Sequence, residues 1–181
     1  MENAQKLIRL HDLKFKPYLT EEVIKLRVQE IGKQISKDFG GKNPLFVAIL
    51  NGSFMFAADL LKSVDLACEI SFIKASSYFG TESTNELHIS LGPNDEFNGR
   101  DIIIIEDIVD SGHSLSKLLP LVKHKNPSSV TIASLLYKPA AFQADFKIDY
   151  IGFEIPNDFI VGYGLDYNGL GRNLKDFYVL A

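Results

Sequence analysis

The chain has 181 residues, of which 46% are hydrophobic and 23% charged, and its formal net charge is −4. This composition excludes a disordered or fibrous protein and predicts a single domain with a sizeable core. The acidic charge argues against a nucleic-acid partner, and the single cysteine, Cys68, excludes an internal disulfide. No apolar run approaches the ~20 residues of a membrane-spanning helix, and residues 1–10 lack the apolar region of a signal peptide, so we expect a cytoplasmic protein without a membrane partner.

The first helical pattern begins after Thr20. A threonine followed by Glu21 and Glu22 is typical of a helix N-terminus, because the hydroxyl accepts a backbone hydrogen bond and the acidic residues favour the positive end of the helix dipole. Apolar residues then recur at helical spacing until Gly40-Gly41, which we expect to end the helix. This apolar face consists of Ile24, Val28, Ile31, Ile35 and Phe39.

Short apolar runs alternate with helical patterns over most of the remaining chain. The four isoleucines at 102–105 do not alternate with polar residues, as they would in a strand with one face in water. We therefore predict an α/β fold with a mostly parallel, twisted sheet and helices on both faces. The predicted strands are 45–50, 66–75, 102–105 and 130–137, and the predicted helices are 54–64 and 114–124.

Two stretches do not follow this alternation. Residues 76–99 contain few apolar residues and many Ser, Thr, Asn and Gly residues, so we expect a long loop, which in a compact domain is usually functional or mobile. Residues 159–172 contain four glycines and little periodicity, so we expect an ordered loop that follows a short strand.

The strongest chemical signal is IIIIEDIVDSGHS at residues 102–114. Four isoleucines lead to Glu106 and Asp107, which we expect at the carboxyl end of a buried strand, and the turn at 110–114 then opens a helix. Ligands of open α/β sheets bind beyond the carboxyl ends of the strands, and a helix N-terminus binds phosphate through its free N–H groups. The acidic pair suits sugar hydroxyls or Mg²⁺, so this stretch predicts recognition of ribose and phosphate together.

A purely structural interpretation of the same stretch is an acidic strand end followed by a helix with Ser111 or Ser114 as its N-cap. Two adjacent carboxylates, a third four residues after Glu106 and a Ser-Gly-His-Ser helix start are a rarer combination, so we favour a functional site.

EDIVDSGHS resembles the phosphoribosyl-pyrophosphate (PRPP) signature of type I phosphoribosyltransferases, which has two acidic residues, two apolar residues and then Asp-Ser/Thr-Gly. Four further blocks resemble hypoxanthine (guanine) phosphoribosyltransferases, so that the resemblance covers most of residues 8–180. LLYKP followed by FIVGYGLDYN is specific to the 6-oxopurine branch of the family. The four blocks are LNGSFMFAADL (50–60), SSYFG (76–80), LLYKP (135–139) and FEIPNDFIVGYGLDYN…RNL (153–174).

The resemblance implies roles for individual residues on the PRPP side. Asp110 would accept a proton at N7 of the purine, and Glu106 and Asp107 would bind the ribose hydroxyls and help hold a metal ion. Arg172 would contact pyrophosphate together with the loop that carries Asn51 and Gly52. The 5′-phosphate would be held by Asp110, Ser111, Gly112, His113 and Ser114.

The resemblance also implies how the base is recognised. Lys138 would read the exocyclic O6 of the base, Phe159 would stack on the purine, and the backbone of Ile160 would meet its edge. Asp166 would lie at the purine end and ligate Mg²⁺. Ser77 and Tyr78 would lie on a loop that closes over the reacting centre.

Without the resemblance, four of these residues have structural interpretations. Lys138 and Arg172 would be solvated surface cations, and Phe159, one of 13 phenylalanines, would belong to the core. Asp166 would shape its glycine-rich loop through side-chain-to-backbone hydrogen bonds.

The resemblance implies a cytoplasmic, Mg²⁺-dependent enzyme of purine salvage that converts PRPP and a 6-oxopurine base, hypoxanthine and also guanine, into the mononucleotide and pyrophosphate. It further implies one domain over residues 1–181, with a mobile loop at about 76–99 and a base-binding hood formed by the N-terminal segment and residues 150–181. We expect a homo-oligomer, either a dimer or a tetramer.

Two alternatives remain open. The first is a nucleotide-binding regulator on the same fold with little or no catalysis; an exposed basic patch would indicate it, but the basic residues are dispersed among acidic ones. The second is a xanthine-preferring phosphoribosyltransferase, which only an assay of bases would separate.

The chain departs from the family pattern at two positions. Many relatives have Leu-Lys-Gly where this chain has Leu50-Asn51-Gly52, so a positive charge near the leaving group is missing. His113 stands where some relatives have lysine or arginine, and an imidazole there would make phosphate binding sensitive to pH. The resemblance also implies a cis peptide at 51–52.

Overall fold

The computed structural model describes residues 7–77, 87–90 and 97–181. These residues form ten strands and three helices, and the predicted alternation of strands and helices is confirmed. In chain order, the elements are β1 (Ile8–Leu10), β2 (Leu13–Leu19), α1 (Glu21–Asp38), β3 (Leu45–Leu50), α2 (Phe54–Ser63), β4 (Glu69–Ser77), β5 (Leu87–Ser90), β6 (Asp101–Val109), α3 (His113–His124), β7 (Ser129–Tyr137), β8 (Tyr150–Glu154), β9 (Ile160–Val161) and β10 (Phe177–Leu180).

The larger sheet has the strand order β5-β4-β3-β6-β7-β8. Its strands are parallel except for β5, which pairs antiparallel with β4. Leu45 pairs with Ile102 and Ala48 with Ile105, so β3 and β6 run side by side at the centre of the sheet. The carboxyl ends of β3, β6 and β7 therefore meet at one edge, where ligands bind in this class of fold.

Helices cover both faces of this sheet, as the sequence predicts. Ile103 and Ile105 pack in a core with α1 and α2, whereas Ile102 and Ile104 pack in a second core with α3. All four isoleucines are completely buried. Because successive side chains of a strand point to opposite faces, an uninterrupted isoleucine run fits a strand with two covered faces.

Helix α1 begins as predicted. The Thr20 hydroxyl accepts a hydrogen bond from the backbone N–H of Val23, and Glu21 and Glu22 lie in the first turn. The predicted apolar face is buried from Ile24 to Phe39. Within the described residues, no helix has the length and apolar character needed to cross a membrane.

The second sheet, which we call the hood sheet, joins strands from opposite ends of the chain in the order β1-β2-β10-β9. All of its pairings are antiparallel. Phe15 of β2 and Phe177 of β10 are buried in its packing, at 0% and 1% exposure. The Asp176 carboxylate accepts a hydrogen bond of 2.7 Å from the backbone N–H of Glu21, which ties this sheet to the start of α1.

Three predictions about the backbone are corrected by the structure. Strand β6 continues to Val109 instead of ending at residue 105, so Glu106 and Asp107 lie inside the strand. The predicted loop at 76–99 contains the end of β4 and the strand β5, while its residues 78–86 and 91–96 lie outside the described part of the chain. The cis peptide joins Leu50 to Asn51, one bond before the predicted position.

Candidate active site

A cleft of about 410 Å³ opens at the carboxyl ends of β3, β6 and β7. One wall is formed by the turn after β3 and the last residues of β6. The other wall is formed by residues 159–172, which comprise β9 and the glycine-rich loop that follows it. A smaller concavity along residues 108–115 shares Glu106, Asp110 and Ser114 with it. The cleft is lined by Ile49, Leu50, Asn51, Gly52, Glu106, Asp107, Ile108, Asp110, Ser114, Lys138, Phe159, Ile160, Leu165, Asp166 and Arg172.

The smaller concavity is the turn that opens α3. Gly112 caps the helix with φ +81°, in the left-handed region that favours glycine, and the His113 N–H donates a hydrogen bond of 3.4 Å to Ser111 Oγ. The N–H groups of the first turn have no carbonyl partner within the helix. With the helix dipole, they form a site suited to a phosphate group.

The turn is supported from behind by the segment after β7. A Cβ on Gly112 would lie 2.7 Å from the Cβ of Ala144 and 2.8 Å from Cε2 of Phe142, so there is no space for a side chain. The Ser111 carbonyl accepts a hydrogen bond of 3.2 Å from the backbone N–H of Gln143. The position of the turn is therefore fixed by residues 142–144.

Two carboxyl groups of β6, those of Glu106 and Asp107, line the cleft, and their surroundings disfavour the charged form of both. Burial, and then the charge of Asp107, raise the pKa of Glu106 well above its ordinary value. Its Oε2 atom is buried, and the described part of the chain offers it no hydrogen-bond partner. Burial also raises the pKa of Asp107, against the lowering effects of the Ile108 N–H, 2.9 Å from Oδ1, and of the Arg172 charge. Such an unsatisfied buried oxygen is typical of a site that binds a hydroxyl group or a cation.

Arg172 and Asp166 form an ion pair across the glycine-rich loop. Arg172 Nη2 lies 2.5 Å from Asp166 Oδ1, and Nη1 donates a hydrogen bond of 2.7 Å to the carbonyl of Gly164. Asp166 Oδ2 accepts a hydrogen bond of 2.7 Å from the backbone N–H of Gly169. Asp166 thus shapes its turn, as the structural interpretation expects, and it also orients Arg172 at the cleft.

Lys138 is not a solvated surface lysine. Its residue exposure is 9%, its backbone N–H bonds to the Val109 carbonyl, and its Nζ lies 3.1 Å from Asp110 Oδ2. The ion pair joins the end of β7 to the turn before α3 and lies on the wall of the cleft. A buried ammonium with a single carboxylate partner retains donors for a ligand acceptor.

Phe159 is not a core residue, because 44% of it is exposed. Its ring lies 6.2 Å from that of Phe15 and 5.8 Å from that of Tyr167, which meets it edge-on. Next to it, Ile160 is held by pairing of β9 with Val179 of β10. An exposed ring supported by two others is a suitable surface for stacking a planar base.

The turn after β3 is in close contact with both walls. A Cβ on Gly52 would overlap Oδ2 of Asp107, and a Cβ on Gly164 would overlap the carbonyl oxygen of Gly52. Asn51, by contrast, is exposed. The backbone at residue 52 therefore occupies the space between a carboxylate of β6 and the loop that carries Arg172.

The structure brings almost all of the predicted site residues to this cleft or to the adjoining concavity, including Ser111, Gly112 and His113. Ser77 is the last residue of β4, paired with Leu87, and Tyr78 lies outside the described residues. Sequence analysis did not identify Leu165, which also lines the cleft, because it is an apolar residue without a distinguishing pattern.

Comparisons with known proteins agree with this architecture. The family model described as "Phosphoribosyl transferase domain" matches residues 16–168. A hypoxanthine-guanine phosphoribosyltransferase of Streptococcus agalactiae is 43% identical over 171 residues, which cover 94% of each chain. A crystal structure of a hypoxanthine phosphoribosyltransferase from Staphylococcus aureus has a TM-score of 0.85 at 43% identity, over 94% of this chain and 92% of that one.

A "Bifunctional protein TilS/HprT" of Listeria monocytogenes is 42% identical over 166 residues. The matched region covers 91% of this chain but only 26% of that relative's length. The expected fold class is confirmed by the Staphylococcus aureus structure. The family match covers well over half of the chain, and the Streptococcus relative is similar over almost its whole length. The chain belongs to the phosphoribosyltransferase family, in its hypoxanthine-guanine branch.

Proposed function

We propose that this protein transfers the 5-phosphoribosyl group of PRPP to hypoxanthine, and also to guanine, in purine salvage. The observation that carries the proposal is a cleft and an adjoining concavity that share Glu106, Asp110 and Ser114. In the concavity, the first turn of α3 offers N–H groups for a phosphate. In the cleft, buried Lys138 offers a donor and exposed Phe159 offers a stacking surface, and Asp107 lines the same cleft.

The charges in the cleft suit the transfer step. The bond between C1 of the ribose and a pyrophosphate oxygen breaks with its electron pair on the oxygen, and a bond from C1 to the purine nitrogen forms. Positive charge therefore develops on the ribose, where the Asp107 carboxylate stabilises it, and negative charge on pyrophosphate, where Arg172 stabilises it. Glu106, whose pKa is raised, forms hydrogen bonds to the ribose hydroxyls. Asp110 accepts the proton that the base releases at N7.

The carboxylate pair fits a magnesium ion, although a cluster of three or more ligating side chains is not found among residues 7–77, 87–90 and 97–181. Mg²⁺ is commonly held by one or two carboxylates together with substrate phosphates. Glu106 and Asp107 would hold the ion here, and Oε2 of Glu106 has no hydrogen-bond partner among the described residues. Asp166 would add a carboxylate oxygen, although its two oxygens already accept hydrogen bonds from Arg172 and from the Gly169 N–H. When bound, the ion would neutralise charge on the pyrophosphate leaving group.

The proposal extends to the setting of the site. The hood sheet and residues 150–181 cover the base end, and the loop at 76–99, with Ser77 and Tyr78, closes over the reacting centre to exclude water from the ribosyl cation. We also propose a cytoplasmic homo-oligomer, a dimer or a tetramer. The net charge of −4 argues against a nucleic-acid partner.

The test is a base panel. The purified protein is assayed with PRPP and Mg²⁺ against hypoxanthine, guanine, xanthine and adenine, with both nucleotide and pyrophosphate measured. We expect equal amounts of both products with hypoxanthine and guanine, and none with adenine, which lacks the O6 acceptor for Lys138. Turnover of xanthine above hypoxanthine, or nucleotide binding without turnover of any base, would contradict the proposal.

A further inference from the structure

Tyr163 and Asp59 form a hydrogen bond behind the cleft that the proposed reaction does not use. The Tyr163 hydroxyl donates to Asp59 Oδ2 at 2.7 Å, and thereby joins the glycine-rich loop to helix α2. Tyr163 is 1% exposed, and its ring centroid lies 5.6 Å from that of Phe177. Burial and the adjacent carboxylate raise the pKa of Tyr163 far above its ordinary value, so the hydroxyl remains a donor at neutral pH.

The residue after Tyr163 contacts the two groups placed at the leaving-group end. Gly164 packs on the carbonyl oxygen of Gly52 so closely that a Cβ would overlap it. Its own carbonyl accepts a hydrogen bond of 2.7 Å from Arg172 Nη1, and its N–H donates one of 3.0 Å to the Arg172 carbonyl. The position of residue 164 therefore sets where Arg172 lies relative to the turn at 51–52.

The hydrogen bond closes a ring of contacts around this turn. Helix α2 begins at Phe54, directly after the turn, and Asp59 lies five residues further along it. From Asp59 the ring returns through Tyr163 and Gly164 to Gly52. Gly52 is joined to Asp59 by the chain itself, and Gly164 packs on Gly52 through backbone atoms. The bond between Asp59 and Tyr163 is the link of this ring that is made by two side chains.

We propose that Tyr163 and Asp59 are positioning residues that fix Arg172 against the turn at 51–52 and so set the affinity for the pyrophosphate group. This inference rests on the function proposed above. The residues assigned to the base do not depend on the Tyr163 hydroxyl, because Ile160 is anchored by pairing with Val179 of β10 and the Lys138 N–H bonds to the Val109 carbonyl. Loss of the hydrogen bond therefore affects PRPP and pyrophosphate, but not the purine.

The structure provides a matched control for the tyrosine. The Tyr150 hydroxyl also donates to a carboxylate oxygen, Asp38 Oδ2 at 2.8 Å, and Tyr150 is 6% exposed, but it joins β8 to α1 away from the cleft. Tyr163→Phe and Tyr150→Phe thus remove the same group from similar environments. A second control is Lys62→Ala, which removes an ion pair of 3.0 Å to the other oxygen of Asp59 from a lysine side chain that is 74% exposed.

For Tyr163→Phe we expect the KM for PRPP and the inhibition constant for pyrophosphate to rise ~3- to 10-fold, with the KM for hypoxanthine changed by less than about twofold. Asp59→Leu should reproduce this split, and adding it to Tyr163→Phe should cause no further loss, because both remove one interaction. Asp59→Asn, which retains an acceptor oxygen, should recover most of the affinity. Tyr150→Phe and Lys62→Ala should match the wild type.

Two results would overturn the inference: equal effects of Tyr163→Phe and Tyr150→Phe, or a rise in the hypoxanthine KM that matches the rise for pyrophosphate. Calorimetric titration with magnesium pyrophosphate measures the same affinity without turnover. An inactive wild type would contradict the proposed function, whereas an active wild type with an unaltered Tyr163→Phe titration would contradict only this inference.

Discussion

Replacing Gly52 by alanine tests whether the turn at 51–52 acts through its backbone or through charge. An added Cβ would overlap Asp107 Oδ2 and lie 2.5 Å from Asp107 Cγ, a separation that side chains do not adopt. Either the Asp107 carboxylate must leave its position, where Oδ1 accepts the Ile108 N–H at 2.9 Å, or the turn must move away from β6. The first adjustment displaces the carboxylate that we assign to the developing charge on the ribose, and the second displaces the turn from that carboxylate.

The size of the effect follows from the role of that carboxylate. Removal of one well-placed electrostatic group from a transition state typically costs about 3 kcal/mol, which corresponds to a roughly 10²-fold loss in rate. We therefore expect Gly52→Ala to lower kcat/KM for PRPP about 10²-fold. The KM for hypoxanthine should change little, because the atoms that an added Cβ would meet belong to Asp107 and not to Lys138 or Phe159.

Steady-state kinetics with varied PRPP, together with pyrophosphate inhibition, provide the assay. Gly40→Ala is the matched control, since a Cβ there would lie 3.5 Å from the nearest atom, the Lys37 carbonyl oxygen, and it should behave as the wild type. Asn51→Lys restores a positive charge at an exposed position and should alter affinity by about 1 kcal/mol or less. A tolerated alanine at 52 with a large effect of lysine at 51 would refute the backbone explanation.

Three further substitutions test the two ends of the cleft and its carboxylates. Lys138→Met should lower kcat/KM for hypoxanthine about 10²-fold with PRPP affinity retained, whereas Lys147→Met, at a side chain 83% exposed, should change neither. Asp110→Asn should lower kcat about 10²-fold with little change in a nucleotide titration, and equal losses in both would indicate a structural aspartate. Because burial raises the pKa of Glu106, the folded chain holds that proton more tightly than the unfolded chain, so its stability falls as pH rises above the ordinary glutamate value. Glu106→Gln should therefore raise Tm by a margin that grows as the pH rises above the ordinary glutamate value, and a constant margin in thermal unfolding would contradict the assignment.

The α/β architecture could be predicted because its signal is local. An isoleucine run with two covered faces and an apolar stripe at helical spacing each reflect the burial of one element. The length of β6 could not, because the apolar run ends at Ile105 whereas pairing with β7 continues through Glu106 and Ile108. Strand β5 has only four residues, too few for a periodicity that separates it from a loop.

The parts of the site that lie in one contiguous motif could be predicted from the sequence, whereas the pairs of residues that meet across the fold could not. The turn that opens α3 follows from a contiguous motif, but the partners of its charged residues come from distant parts of the chain. Lys138 meets Asp110 across 28 positions, and the pairing of Arg172 with Asp166 depends on how a glycine-rich loop folds. The roles assigned to these residues stay predictions until the variants above are measured.

The position of the cis peptide shows a further limit of sequence analysis. The sequence does not indicate whether the cis peptide precedes or follows Asn51. In the structure the cis peptide joins Leu50 to Asn51, between β3 and α2.

The segment that supports the α3 turn from behind also carries the lysine to which we assign recognition of the base. Lys138 lies at its start, and Phe142, Gln143 and Ala144 contact Ser111 or Gly112 a few residues later. Lys138 and the turn are therefore connected twice, through the bond of the Lys138 N–H to the Val109 carbonyl and through residues 142–144. A substitution that shifts residues 142–144 should therefore disturb the proposed base and phosphate sites together.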